Sequence, residues 1–374
     1  MARTARRLMH DNYKSGNLEK SLQNGQRLID SHAASKTPPT MERADDYYNY
    51  AYICAQMGDY HKAVDLYTKS YVAVRTLCGE NYDYVARLTN LAVCYINTGS
   101  NDLAVGLFKK ADELLSEIKS YGKNSDWINH DYRNNLYNLG NAYHTTEMYD
   151  LAVDTHEKQL SLFSVKDVMY ADTLNCIGYT YEKREMHDIA CAYFADALKI
   201  KKQICGEHSE EYIADLAHYA ETLVLSDNHK QAMNVFSRAA GFVKKAYTES
   251  DKFYIHLVGR TADCAEVLGD YDKAFTLRKR VLKIIKSVVG ESHLVYSEGL
   301  RRAAAVCKKM QDFDKALRYT LKALKITRTL LGENNAIYLK DVATACDFYM
   351  RLNMFDEAMT LLGKGAQPKA DAPQ

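Results

Sequence analysis

Proline is scarce in this chain, 4 in 374 residues. Because proline breaks helix interiors, its scarcity leaves long helices free to form. Long apolar runs are missing as well. No uninterrupted stretch approaches the roughly 20 residues a membrane helix needs, and the N-terminal MARTARRLMHDNYKSGN turns polar before any run of signal-peptide length. Neither secretion nor membrane insertion is expected. Charge of one sign is lacking too, with 49 Lys plus Arg against 48 Asp plus Glu. No global field then exists to draw in nucleic acid or an anionic membrane surface, so any charge-based recognition must be local. The nine cysteines stand singly, without a C-x-x-C pair or a histidine at metal-ligand spacing. They read as reduced thiols of a cytosolic chain that carries no metal and no other cofactor. Also absent are a G-x-x-x-x-G-K-S/T phosphate loop, a G-x-G-x-x-G turn, H-E-x-x-H and G-x-S-x-G, while His156-Glu157 lacks a second histidine. An enzyme is not expected.

What is present is a repeat. With 47% hydrophobic and 26% charged residues the chain is folded rather than disordered. The segment GDYHKA ending at Ala63 recurs as GDYDKA at Ala274, QDFDKA at Ala316 and NMFDEA at Ala358. Weaker copies end at Ala104, Ala152, Ala190 and Ala232, and GNLEKS puts Ser21 at the same point. From Ser21 the steps between these anchors are 42, 41, 48, 38 and then four of 42. Such a period means stacked supersecondary units rather than one globular core.

Twelve residues before the anchor stands a small residue in eight copies: Ala51, Ala92, Gly140, Gly178, Ala220, Ala262, Ala304 and Cys346. Four residues after it come Tyr67, Phe108, Phe194 and Phe236; seven after it come Ser70, Ala111, Ala197, Ala239 and Ala323. Bulk facing smallness at helical spacing builds a face for close helix packing. The aromatic position decays to Arg278 and Thr320, which predicts less uniform packing there. Each unit therefore reads as helix, short turn, helix, with Gly58, Gly99 and Gly269 stopping the first helix in a left-handed cap and the next Asp or Asn capping the second. Between units a second signature recurs, LCGENYDYVA (77–86), ICGEHSEEYIA (204–214), VVGESHLVYS (288–297) and LLGENNAIYLK (330–340).

These residues resemble the tetratricopeptide repeat, and the 42-residue spacing with its G-E-x-H/N linker is similar to that of kinesin light chains and their bacterial relatives. The resemblance covers residues 41 to 365 and implies an all-α, right-handed α-solenoid of eight or nine antiparallel helix pairs. Residues 1–32 read as a degenerate N-terminal helix pair, 33–40 as a linker and 366–374 as a disordered tail. Kinesin light chains also carry an N-terminal heptad coiled coil. The first 40 residues here show no sustained heptads, and SKTPPT (35–40) interrupts them, so a transport role does not carry over.

In such an array the first helix of each unit lines the concave surface, where a partner binds. Fourteen residues before the anchor that face presents Asn49, Asn90, Asn138, Cys176, His218, Arg260, Arg302 and Thr344, with Asn175 adjacent in the fourth unit of the ladder. In the family's peptide-binding members asparagines at this position grip the backbone of an extended peptide, since a primary amide offers both donors and an acceptor. The expected groove set is Asn49, Tyr52, Asn90, Asn138, Asn141, Asn175, Tyr179, Arg260, Arg301 and Arg302. Arginines there suit the carboxylates of an acidic peptide; pairing with Asp263, Glu266 and Glu298 is the intramolecular alternative, as helix bridging is for the asparagines. Arg278, Lys279, Arg280, Lys283 and Lys286 fall on a second helix and read as a solvated outer face. Cys54, Cys307 and Cys346 occupy small core positions and read as inert. The chain is thus expected to be a scaffold for a protein or peptide partner. A peptide-gated regulator of the bacterial pheromone-receptor type is the alternative, and a base-reading helical repeat is disfavoured by the neutral charge.

Overall fold

The computed structural model describes residues 2–35, 38–120 and 126–365, and among them every regular element is a helix. The expected tail at 366–374 lies outside the described residues. The chain divides into two compact units, residues 1–186 and 187–374. The first contains α1 (Ala2–Lys14), α2 (Leu18–Ala34), α3 (Met41–Gln56), α4 (Tyr60–Cys78), α5 (Tyr82–Asn97), α6 (Asn101–Ser120), α7 (Asp126–Thr145), α8 (Tyr149–Leu160) and α9 (Val168–Lys183). The second contains α10 (His187–Ile204), α11 (Glu210–Leu225), α12 (His229–Ala246), α13 (Lys252–Val267), α14 (Tyr271–Val289), α15 (Leu294–Lys309), α16 (Phe313–Leu331), α17 (Ala336–Arg351) and α18 (Phe355–Gly365). Within each unit every helix packs on the next in sequence, the pattern of an all-α repeat solenoid.

The anchors explain the packing. Ser21, Ala63, Ala104, Ala152, Ala190, Ala232, Ala274, Ala316 and Ala358 are all buried, and so are all eight small residues that precede them by twelve. Where both faces are small, Tyr67, Phe108 and Phe236 enter fully, each burial stabilising by about 1.5–3 kcal/mol. In the first pair Met9 takes the small position and is fully buried beside the Ser21 hydroxyl, which donates to its carbonyl at 2.7 Å. The fourth pair is irregular. Its first helix, α7, has 20 residues where α3, α5 and α9 have 16; its second, α8, has 12 where α4 and α6 have 19 and 20. Those differences contribute to the uneven steps of 48 and 38 residues.

Turn chemistry follows the sequence in part. Gly58, Gly99 and Gly269 adopt φ near +80°, and Asp59 and Asp270 cap the helices that follow. At the same point five other turns hold Glu147, Glu185, Asp227, Gln311 and Asn353 at φ of +59 to +62°.

Polar pairs tie α3, α5, α7, α11 and α17 to the helix before each, and they differ from junction to junction. Asp46 meets His32 at 2.7 Å, Arg87 donates to Ser70 at 3.0 Å and the Asn135 amide to the Phe108 carbonyl at 3.1 Å. In the second unit Lys201 meets Asp215 at 2.7 Å and Thr327 donates to Asp341 at 2.9 Å.

Candidate functional site

Within the first unit the leading helices of successive pairs touch one another, α3 against α5, α5 against α7, and α7 against α9. This side is a continuous wall of first helices. On α5 Tyr82, Ala86, the adjacent Thr89 and Asn90, and Val93 recur at helical spacing, and on α7 so do Asp131, Asn134, the adjacent Tyr137 and Asn138, and Asn141. Helical periodicity puts each series on one face, while Leu88, Leu91, Ala92, Leu136, Leu139 and Gly140 are buried on the other. Where the two faces meet, a cleft of about 350 Å³ opens, lined by Tyr48 of α3, by Tyr82, Val85, Ala86, Thr89, Asn90 and Val93 of α5, by Leu115 of α6, and by Asp131, Asn134, Tyr137 and Asn138 of α7.

Its side chains are held from behind. Arg87 lies over the Tyr48 ring at 5.1 Å from its centroid, Tyr67 meets that ring edge-on at 5.5 Å, and the Asn90 amide donates to the Tyr48 hydroxyl at 2.6 Å. Asn90 keeps its own carbonyl as an acceptor. The amides of Asn134 and Asn138 make no hydrogen bond among the described residues. The Tyr82 hydroxyl donates to Asp131, and its ring stacks edge-on against Trp127 at 4.5 Å. Trp127, the one tryptophan of the chain, is half exposed at the rim. Partial burial lifts the Asp131 carboxyl above the usual carboxylate range and the Tyr137 phenol to about 12.

Of the expected groove set, the cleft brings together Asn90 and Asn138. Asn141 stands one turn beyond Tyr137 and Asn138 on the same face of α7. Asn49 is half-buried on α3 but does not line the cleft, its neighbour Tyr48 doing so instead. Tyr52 is exposed and packs edge-on against Tyr13 of α1. On α9, Asn175 is buried and Tyr179 exposed. Tyr82, Thr89, Asp131 and Asn134 were not anticipated, although Asn134 lies four and Asp131 seven residues before Asn138, and Tyr82 eight before Asn90, spacings that share a helix face.

In the second unit the arginines of the expected groove set are held in ion pairs. Arg260 holds the Glu221 carboxylate of α11 with two nitrogens at 2.8 and 2.6 Å and reaches Asp263 at 3.1 Å. Arg301 bridges Asp341 of α17 at 2.9 Å and Glu298 at 2.6 Å, and Arg302, exposed, also faces Glu298. Arg278 corrects the reading of a solvated outer face. It is 5% exposed and pairs with Asp263 and with Glu266 at 2.7 Å. The cause is its position: four residues after the anchor, where other pairs bury an aromatic ring, a guanidinium must bring carboxylates with it. Lys279, Lys283 and Lys286 are exposed, as the outer-face reading requires. Burial pushes the thiols of Cys54 and Cys307 up to about 11, well away from reactive thiolates.

The tetratricopeptide repeat family matches residues 41–117, 169–245 and 258–329, and a second form of the same repeat matches 136–162. Together these spans cover more than half of the chain. It belongs to the tetratricopeptide repeat family. No curated protein sequence matches this tetratricopeptide repeat protein. Among solved structures it is similar to the C-terminal part of a repeat-containing protein from Cytophaga hutchinsonii, with 15% identity, a TM-score of 0.54, and coverage of 76% of this chain and 95% of that one. It is also similar to the apo form of the quorum sensor NprR from B. thuringiensis, at 15% identity and TM-score 0.48 over 85% of each chain. A putative kinesin light chain from P. anserina with nearly identical repeats matches at 12% identity and TM-score 0.46, over 54% of this chain and 95% of that one. Tetratricopeptide arrays in general serve protein interaction rather than catalysis. No helix among the described residues is long and apolar enough to cross a membrane.

Proposed function

We propose that this protein is a non-catalytic interaction scaffold that holds an extended segment of a partner protein in the cleft of α3, α5 and α7. The observation that carries this reading is the convergence of Asn90, Asn134 and Asn138 on one cleft, with the amides of the last two uncommitted among the described residues. A primary amide pairs with both the C=O and the N–H of a peptide bond and so binds backbone whatever the side chains are. Tyr48, Tyr82 and Tyr137 add rigid amphipathic rings, which are favoured at contact surfaces because they lose little entropy on binding. A cytosolic setting belongs to the same proposal, since buried thiols such as Cys54, Cys94, Cys264 and Cys307, outside any disulfide, suit a reducing compartment.

The test uses Trp127, whose emission reports on the rim of the cleft. A positional-scanning library of N-acetylated, C-amidated nonapeptides is titrated into the full chain. Asn90→Ala with Asn138→Ala is expected to weaken binding at least tenfold while the melting temperature stays within a few degrees. Unchanged affinity in the double variant contradicts the reading; a collapse of the melting temperature assigns these asparagines to the fold instead.

A further inference from the structure

The cleft carries one charge and, among the described residues, no cation to neutralise it. Asp131 is the only charged side chain among the lining residues, and it pairs with no cation among the described residues. Four other aspartates of the first unit are paired. Asp46 has Arg6 and His32, Asp45 has Arg87, Asp112 has Lys158 at 2.9 Å and Asp150 has Arg184 at 2.8 Å. Arg87, which lies behind the Tyr48 ring, is 4% exposed and committed to Asp45, Ser70 and the Asp83 carbonyl. What faces Asp131 is a phenol, the Tyr82 hydroxyl, which polarises the carboxylate without cancelling its charge.

We propose that the cleft selects a basic side chain, lysine or arginine, in the bound segment, with Asp131 as its counter-charge. This rests on the scaffold reading above and names the chemistry it recognises. The surrounding groups suit an entering cation. The faces of tyrosine rings attract ammonium and guanidinium groups, and the carbonyls of Asn134 and Asn138 accept from them. An acidic side chain would meet an unneutralised carboxylate in a partly desolvated cleft and be rejected. Partial burial also makes the pairing stronger than at an open surface, because the surroundings screen it less. The raised carboxyl pKa of Asp131, caused by desolvation, is the state that a bound cation relieves.

Nonapeptides that differ only at one position, with lysine, arginine, norleucine or glutamate, separate this inference from the scaffold reading. Lysine or arginine is expected to bind at least tenfold more tightly than norleucine, and glutamate more weakly still. Asp131→Asn, which keeps an acceptor for Tyr82, is expected to bring lysine and norleucine within about twofold of each other while binding still requires Asn90 and Asn138. Peptides that bind with no basic preference, or a preference that survives Asp131→Asn, overturn the inference and leave the scaffold reading standing. Absence of binding across the library overturns both. If Asp131→Asn fails to fold, salt decides: the lysine preference of the unsubstituted chain must shrink as sodium chloride is raised, and a salt-independent preference overturns the inference.

Discussion

His156 stands where other pairs bury Tyr67, Phe108 or Phe236, and its ring sits so close to Gly140 that a β-carbon there would lie 2.5 Å away. Its Nδ1 faces the Gln159 carbonyl at 3.2 Å, and its Nε2 makes no hydrogen bond among the described residues. Burial favours the neutral ring and lowers its pKa from 6.5 to about 4. Between those two values the unfolded chain binds a proton that the folded chain refuses. Stability therefore falls as the pH drops from 6.5 towards 4, by roughly 3 kcal/mol from this group alone. His156→Phe restores the ring type of the other pairs and is expected to flatten that part of the dependence. Urea midpoints of both proteins at pH 7 and pH 4.5 measure it, and parallel losses in the two would remove His156 as the cause. The same scale accounts for Arg260 and Arg301: each guanidinium is held by a carboxylate on another helix, the half-buried Glu221 and the buried Asp341.

Element by element, the array is built from one turn repeated with different residues. Glycine adopts φ near +80° without cost in three of the turns between paired helices in residues 41–365, whereas a residue with a β-carbon in that region is strained by about 1–2 kcal/mol. Gln311→Gly and Glu185→Gly should thus stabilise the chain by about 1 kcal/mol each, after allowing for the extra freedom glycine gives the unfolded state. Asn353→Gly should gain less, because asparagine tolerates this conformation better. Thermal melts of the single variants check this, and a lowered midpoint for Gln311→Gly would show that the turn is not strained. Helix pairs, caps and small-residue positions were legible in the sequence because the anchor repeats with little decay. The irregular fourth pair was visible only as uneven steps, since helix lengths are not encoded in the anchor itself.

At the scale of the molecule, a neutral chain distributes its charge locally. In the second unit the first-helix positions are closed by ion pairs between neighbouring pairs, and in the first unit one carboxylate is left open in a cleft. Asn90 and Asn138 of the cleft stand in the ladder that the anchor defines, and Tyr48 and Tyr137 one position before it. Asp131 and Asn134 lie a further turn or two towards the start of α7, beyond that ladder. Arg260 and Arg301 make ion pairs, the intramolecular alternative of the sequence reading, and partners from other repeats 39 and 40 residues away lay outside the acids it named. The junction pairs, too, are invisible to a repeat pattern, since each is different. Hydrogen exchange of the full chain, with and without the tightest-binding nonapeptide, tests the central assignment most directly. Slowed exchange is expected in residues 82–93 and 131–141 and not in 294–351; protection confined to the second unit, or none at saturating peptide, would contradict it.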